Sequence, residues 1–178
     1  MNNYELTTKR LGMRRWCDRD LEPLAQLNSD PEVMKFFPRT LNLQESKQTM
    51  LRLNAHLDAH GFTYYAVDLL PTGRFVGFVG LKIQLFDHPM TPLIDVGWRL
   101  SRQAWGQGLA TEAAKRCLAF AFDELEIHTV SAIAPKLNER SIAVMRRIGM
   151  QFAESFCHPL ISPASPLASC ERYAITRD

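Results

Sequence analysis

The spacing of apolar side chains predicts two long amphipathic helices. Within residues 43–60 and 108–125 they recur at three- and four-residue steps, which places them along one face of a helix. The second stripe is rich in alanine, so this helix can pack closely on a sheet. Asn42 and Glu45 resemble a capping box at the start of the first helix, and Gly61 follows its end.

Shorter apolar segments bounded by turn residues predict strands. The predicted strands cover residues 6–16, 62–69, 74–85, 93–100, 129–134 and 170–176. Further helices are predicted at 21–28 and 138–148, with one or two helical turns at 33–37. Pro and Ser are frequent between 156 and 169, which predicts a loop. The mixture predicts an α/β fold, with one domain of residues 1–178 built on a mixed sheet.

Composition narrows the classes of partner. The chain has 178 residues and a formal net charge of +2 at pH 7, which is too small to indicate a nucleic acid. No apolar run is long enough to span a membrane, and the N-terminus lacks the apolar segment of a secretory signal. We therefore expect a cytoplasmic protein. The four cysteines form no C-x-x-C pair, so we expect no metal site.

The segment with the clearest chemistry joins the strand at 93–100 to the helix at 108–125. Gly106 and Gly108 lie at the helix start, where open backbone N–H groups and the helix dipole attract a phosphate or pyrophosphate. Thr111 occupies the third position of a dinucleotide fingerprint, and no Gly-Lys-Ser/Thr follows, so neither common nucleotide motif is complete. Two turn glycines before a structural helix remain the alternative.

Two separate motifs carry a family resemblance. Gln103-x-x-Gly106-x-Gly108 resembles the pyrophosphate-binding pattern Q/R-x-x-G-x-G/A of the GNAT superfamily, the acyl-CoA-dependent N-acyltransferases. Farther along the chain, Asn138-x-x-Ser141 followed by the sequence RRIGM is similar to a second element of that family. The two motifs occur in the family's order, and they imply that the chain is an N-acetyltransferase.

The N-terminal half extends this resemblance. Residues 8–14 and 29–34 are similar to the opening of the Rim-type branch, which acetylates the N-termini of ribosomal proteins. The family implies a mostly antiparallel sheet, flanked by helices and splayed at the strand before the glycine turn, with acetyl-CoA inserted into the gap. The implied cofactor contacts are Val96, Gly97, Trp98, Leu100, Gln103, Trp105, Gly106, Gln107, Gly108, Leu109, Ala110 and Asn138.

Two of these residues also have simpler explanations. Gly97 fits a bulge or a close backbone approach within the strand, or plain packing. Asn138 would hold the pantetheine or diphosphate region, and it equally suits the N-cap of the helix at 138–148. The two roles of Asn138 are compatible with each other.

The resemblance also implies two proton-transfer residues. Asp95, two positions before Gly97, is the candidate base for the attacking amine, directly or through a water. Many GNAT enzymes have a tyrosine near the thiol where this chain has Met145, which cannot donate a proton. Ser141 is therefore the implied acid. An ordinary strand-edge aspartate and a structural serine are the alternatives.

Three functions remain open from the sequence. The first is acetylation of a protein N-terminal α-amine, whose pKa near 7.7–8.0 requires only a modest base. The second is acetylation of a small-molecule amine such as an antibiotic or a polyamine. The third is an acyl-CoA-binding module without catalysis, which the intact glycines, Asp95 and Ser141 disfavour. The implied partners are acetyl-CoA and an amine acceptor, and the resemblance also admits a homodimer.

A few aromatic and titratable side chains have no role fixed by these motifs. Phe36, Phe37, Phe62 and Tyr64 could line the acceptor side, although core packing is the default for aromatic residues. His158 lies in the tail that matches the family poorly, and it could contact the substrate.

Overall fold

The computed structural model describes residues 4–177, and its centre is one eight-stranded sheet. In chain order the strands are β1 Leu6–Thr7, β2 Leu11–Arg14, β3 Tyr64–Leu69, β4 Arg74–Gln84, β5 Leu93–Leu100, β6 Thr129–Pro135, β7 Gln151–Cys157 and β8 Ser169–Thr176. Across the sheet their order is β1-β2-β3-β4-β5-β6-β8-β7. Within the described residues, the flanking α-helices are α1 Leu21–Ser29, α2 Leu43–His60, α3 Leu109–Asp123 and α4 Glu139–Arg147. The predicted α/β class is confirmed.

The sheet is mixed, and its one parallel pair is also its weakest junction. In the described sheet all neighbouring strands run antiparallel except β5 and β6. That pair meets at a single bridge, between Asp95 and Ser131. Towards their carboxyl ends the two strands no longer pair. The predicted splay at the cofactor strand is therefore present.

Alternation along the strands gives the sheet two buried faces. Tyr65 and Val67 of β3 pack with α3 and α4 on one face, whereas Ala66 packs with α1 and α2 on the other. Ala113 and Ala121 of α3 are fully buried, which is the close helix–sheet packing that the alanine-rich stripe predicts.

Both ends of α2 have the capping residues that the sequence predicts. Asn42 Oδ1 accepts from the Glu45 N–H at 2.9 Å, and a Glu45 carboxylate oxygen accepts from the Asn42 N–H at 2.9 Å. Gly61 ends the helix in the left-handed region at a φ of 77°. The predicted capping box and glycine stop are both confirmed.

Two local predictions in the N-terminal region were wrong. The strand predicted at 6–16 is a hairpin of β1 and β2, because the Thr8 hydroxyl accepts from the Leu11 N–H at 3.0 Å and turns the chain. The helical turns predicted at 33–37 are irregular turns. The Asp30 carbonyl accepts from Met34, but Phe37 donates to Met34 instead of continuing a helical ladder.

The tail predicted as a loop at 156–169 is largely a hairpin connection. β7 extends to Cys157 and β8 begins at Ser169, so only residues 158–168 lie between paired strands. β7 forms an edge of the sheet and keeps most of its side chains exposed, so it lacks the buried alternation that marks a strand in sequence.

A buried ion cluster attaches the start of α1 to the sheet. Arg14 of β2 donates to both oxygens of Asp68 at 2.7 and 2.9 Å, and to both oxygens of Asp20 at 2.6 and 2.7 Å. Burial alone would lower the pKa of Arg14, but the hydrogen bonds to the two carboxylates outweigh burial and raise it. Within this cluster each buried charge faces an opposite charge.

Candidate active site

A deep cleft of about 1290 Å³ opens where β5 and β6 separate. Its lining includes Asp95 and Tyr64 from the α1/α2 face of the sheet, together with Val96 and Met145 from the α3/α4 face. The cleft therefore passes through the gap in the sheet. Of the sequence-predicted site residues, all except Gln103 and Gln107 line it.

The glycine turn has the geometry of an anion cradle. Gly106 and Gly108 both have a φ of 73°, in the left-handed region that favours glycine. The first hydrogen bond of α3 runs from the Glu112 N–H to the Gly108 carbonyl, at 3.0 Å. The N–H groups of the first helical turn before it have no intrahelical partner, so they can bind a phosphate together with the helix dipole.

Arg10 holds this turn from outside the cleft. Its Nη1 donates to the Gln107 carbonyl at 2.9 Å, and its Nε pairs with Glu112 at 2.6 Å. The Gln107 side chain donates to the Gln103 carbonyl at 2.6 Å. Gln107 thus braces the turn with its side chain and Gln103 with its backbone carbonyl, and neither of these exposed residues lines the cleft. Sequence reasoning missed Arg10, which is distant along the chain from its partners.

Beyond the bridge, β5 presents an unpaired edge towards β6. Val96, Trp98 and Leu100 project to the α3 face and line the cleft, with Val96 and Leu100 buried in the core. Backbone N–H and C=O groups along such an edge have no strand partner on that side, so they can bind an extended ligand.

Of the bulge, the close approach and the plain packing that the sequence allows at Gly97, the structure excludes the bulge. The pairing of β4 with β5 runs without a register shift through Gly80 and Gly97, so no bulge is present. A Cβ at Gly97 would lie 2.8 Å from the Tyr64 hydroxyl. The close approach at Gly97 is therefore that of the Tyr64 ring, which crosses the sheet surface from β3.

Asp95 is the buried carboxylate of the cleft. The Tyr64 hydroxyl donates to it, lying 2.9 and 2.8 Å from its two oxygens, and Gln84 Nε2 donates at 2.9 Å. Burial raises the pKa of Asp95 to about 6, although both hydrogen bonds oppose that rise. Burial and the Asp95 charge raise the pKa of Tyr64, so the phenol stays protonated and remains a donor.

The first turn of α4 lines the opposite wall. Asn138 is the N-cap, and its Oδ1 accepts from the Ser141 N–H at 3.2 Å. Ser141 is half-buried and lines the cleft, whereas Met145 is buried in the core. Arg140 lies over the Trp105 ring at 5.1 Å, which connects this helix to the glycine turn. The cap role of Asn138 is confirmed, and its amide nitrogen stays available for a ligand.

The α1/α2 side of the cleft is aromatic. Phe36, Phe37 and Tyr64 line it as the sequence allowed, but Phe62 packs in the core instead. His158 also lines the cleft, with its ring 4.6 Å from that of Phe86. The hairpin tip at 158–168 therefore reaches this wall of the cleft.

Arg99 is a cation of this wall with an unusual environment. Its guanidinium carbon lies 4.0 Å from the ring centroid of Phe37 and 5.0 Å from that of Phe78. Its Nη1 donates to Asn28 at 2.6 Å, while its buried Nε has no hydrogen-bond partner among the described residues. Burial lowers the pKa of Arg99 to about 10. Sequence analysis missed this residue, because an arginine on a strand gives no sign of its burial.

Residues 4–177 lack the features of two other kinds of site, a metal centre and a membrane-spanning helix. They contain no group of three or more His, Cys, Asp or Glu side chains arranged to hold a metal ion. No helix in the same range has the length and apolar character needed to cross a membrane.

Comparisons with known proteins agree with this geometry. The family model described as an acetyltransferase (GNAT) domain matches residues 10–151. The chain is 32% identical to an FsC-acetyl coenzyme A-N(2)-transacetylase of Aspergillus fumigatus, over 97% of this chain and 76% of that protein.

Solved structures share the fold. An apo crystal form of RimL, a ribosomal L7/L12 α-N-protein acetyltransferase, superimposes with a TM-score of 0.80 at 14% identity, covering 99% of this chain and 96% of that one. The spermidine N-acetyltransferase of Vibrio cholerae, in complex with CoA and spermine, has a TM-score of 0.73 at 16% identity, covering 95% and 96%. Since the family model spans most of the sequence, the chain belongs to the GNAT acetyltransferases, enzymes that use acetyl-CoA.

Proposed function

We propose that this protein transfers the acetyl group of acetyl-CoA directly to an amine, with Asp95 as the general base. The observation that carries the proposal is the environment of Asp95, a buried carboxylate in the cleft whose pKa is raised to about 6. A base of this strength is deprotonated at neutral pH and still accepts a proton readily. Acetyl-CoA supplies the activated acetyl group.

The cofactor side of the cleft fits acetyl-CoA in three places. The N–H groups around Gly106 and Gly108 would bind the pyrophosphate, and the free edge of β5 from Val96 to Leu100 would bind the pantetheine arm. Asn138 Nδ2 faces the same region from α4. These contacts hold the thioester beside the parallel bridge, near Asp95.

Proton movements are assigned to three side chains. Asp95 accepts a proton from the attacking amine, directly or through a water. Tyr64 orients the carboxylate by donating to both of its oxygens. Ser141 donates a hydrogen bond to the leaving sulfur, because its hydroxyl lines the cleft and Met145 cannot donate.

Among acceptors, we propose a protein or peptide N-terminal α-amine. Such an amine has a pKa near 7.7–8.0, so a base with a pKa of about 6 can deprotonate it with a modest mismatch. An alkyl amine with a pKa near 10.4 is a poorer match. The relation to an N(2)-transacetylase supports a second candidate, a nitrogen acceptor within a small molecule.

The test is CoA thiol release from acetyl-CoA against a panel of amines. The panel holds peptides with Ala, Ser and Met N-termini, polyamines, aminoglycosides and free amino acids, and calorimetry measures acetyl-CoA binding in parallel. We expect thiol release with peptides. Thiol release with small amines alone would favour the second candidate acceptor. If no amine gives thiol release although acetyl-CoA still binds, the protein would be an acyl-CoA-binding module.

A further inference from the structure

Arg99 is a half-buried cation with a fully buried Nε and no counter-ion among the described residues. In the part of the chain that the structure describes, no carboxylate forms an ion pair with it, and only Asn28 accepts from its guanidinium. The guanidinium carbon lies over the rings of Phe37 and Phe78. A guanidinium has five N–H donors, and only the one bonded to Asn28 is used among the described residues, so most of them are open to a ligand.

The position of Arg99 separates it from the cofactor. Side chains alternate along β5, so Arg99 shares a face with Asp95 and not with Val96, Trp98 and Leu100. Helix α3, into which the glycine turn leads, packs on the opposite face of the sheet, and Trp105 of the turn contacts the clusters on both faces. A phosphate of acetyl-CoA held at Gly108 is therefore remote from Arg99, and the acceptor is the ligand that reaches this wall.

The charged side chains near Arg99 provide no net negative charge to balance its guanidinium. Glu32 and Lys35, which line the same side of the cleft, offset each other in formal charge. Asp30 is already paired with Arg102 at 2.9 Å. A desolvated cation costs free energy unless an anion or a set of acceptors faces it. This cost would be recovered when an anionic ligand enters the cleft.

We propose that Arg99 is a specificity residue that binds an anionic group, a carboxylate or phosphate, on the acceptor amine. The proposal rests on the acetyl transfer proposed above, because it takes the amine to lie at Asp95. Three strand residues lie between Asp95 and Arg99, about 13 Å between Cα atoms. At about 3.4 Å per residue, an acidic side chain near the fourth position of an extended peptide spans that distance. Acidic side chains at positions 2 and 3, and an amino acid with a long chain, test a shorter separation between the carboxylate of Asp95 and the guanidinium of Arg99.

The test compares matched acceptors that differ only in charge. Pentapeptides with Glu at position 2, 3 or 4 are measured against the same peptides with Gln, and 6-aminohexanoate is measured against its amide. In the parent enzyme we expect kcat/KM for one charged member to exceed that of its neutral match by roughly tenfold, the value of one charged hydrogen-bonded contact. The peptide and small-molecule arms distinguish the source of the anion.

Substitutions at Arg99 test whether this residue causes the preference for charged acceptors. In Arg99→Gln the ratio of charged to neutral kcat/KM should fall towards one, while Arg99→Lys keeps part of it. Arg102→Gln is the matched control, because Arg102 is exposed and paired, and it should keep the parental ratio. Equal rates for charged and neutral acceptors in the parent, or a preference that survives in Arg99→Gln, would overturn the proposal.

A binding measurement covers the case in which no acceptor in the panel turns over. CoA-saturated protein is titrated calorimetrically with glutarate. Glutarate binding that is present in the parent and lost in Arg99→Gln supports the anion site. The lack of turnover would then count against the proposed function and not against the anion site. Absence of glutarate binding in the parent overturns the anion site. Turnover without charge preference, by contrast, leaves the proposed function intact.

Discussion

Two regions of this protein enclose charged side chains. In one region the charges are paired with opposite charges, and in the other they face neutral groups. Around Arg14, two carboxylates face one guanidinium, and four hydrogen bonds of 2.6 to 2.9 Å join them. In the cleft, Asp95 faces a neutral phenol and an amide, while Arg99 faces an amide and two rings.

The difference appears in the pKa values. Burial would raise the pKa of Asp20, but the hydrogen bonds from Arg14 and Cys17 and the Arg14 charge together outweigh burial and lower it, so ionised Asp20 stabilises the fold above its unfolded pKa. The pKa of Asp95 is instead raised to about 6, so its ionisation at neutral pH opposes folding. Compensated charges in this chain join elements of the fold, whereas the uncompensated ones line the cleft.

The largest expected effect is on catalysis at Asp95. Asp95→Asn should lower kcat by about 10²- to 10⁴-fold, the usual contribution of a general base. Its free energy of unfolding at pH 7.5 should not fall. A pKa raised from 3.8 to about 6 corresponds to about 3 kcal/mol of opposition to folding, which the amide removes.

Thiol release and denaturant unfolding measure the two effects on the same protein. Asp123→Asn, at the exposed end of α3, is the control and should change neither. Full activity in Asp95→Asn would contradict the assignment of the base.

The opposite result is expected in the paired cluster. Asp68→Asn should cost about 3–5 kcal/mol of unfolding free energy, because it leaves Arg14 buried with one of its charge partners missing. At a temperature where the variant is folded, the KM for acetyl-CoA should stay near that of the parent. Chemical denaturation and steady-state kinetics measure these two quantities.

A surface pair provides the control for that experiment. Asp58 pairs with Arg15 at 2.6 Å, but both side chains are about half exposed. Asp58→Asn should therefore cost far less free energy of unfolding than Asp68→Asn. Similar losses of unfolding free energy in Asp68→Asn and Asp58→Asn would show that burial does not set the buried cluster apart from the surface pair.

A smaller effect concerns the cofactor cradle. Gly108→Val should weaken acetyl-CoA binding by roughly tenfold or more, about 1.4 kcal/mol, because a β-branched side chain disfavours the left-handed backbone and covers the N–H groups. Gly61→Val introduces the same backbone strain at a φ of 77°, away from the cleft. Calorimetry should find weaker binding only for Gly108→Val, and equal affinities would refute the cradle.

The smallest expected effect is at Ser141. Ser141→Ala should lower kcat roughly three- to tenfold, since a serine hydroxyl donates a hydrogen bond and is too weak an acid to give up its proton fully. The Asn138 cap accepts from the Ser141 backbone N–H, so α4 should keep its stability. Unchanged kcat at saturating acetyl-CoA would leave Ser141 a structural residue.

Sequence reasoning predicted the parts of the site that depend on local patterns. Gly106, Gly108 and the start of α3 follow from turn chemistry and helical spacing, and Asn138 follows from cap spacing. The wall formed by Tyr64 and Gln84 was harder to predict, because strand register across β3, β4 and β5 brings them to Asp95.

Features without a buried periodic pattern were also missed. β7 is an exposed edge strand, so its side chains carry no alternation to detect. Arg99 resembles any surface arginine in the sequence, and only the approach of Phe37 and Phe78 shows that its guanidinium is enclosed. Burial of a charge is a tertiary property, and the two contrasted regions depend on it.

The pH dependence of kcat/KM tests the central claim most directly. With Asp95 as the base, kcat/KM should fall as the pH falls through about 6, since protonation removes the acceptor of the amine proton. Tyr64→Phe should move this acid limb to higher pH, because the Tyr64 hydrogen bond lowers the pKa of Asp95. Protonation of the free acceptor amine gives its own limb near pH 7.7–8.0 in every variant. A limb near pH 6 that stays in place in Tyr64→Phe, or persists unchanged in the residual activity of Asp95→Asn, would contradict the account.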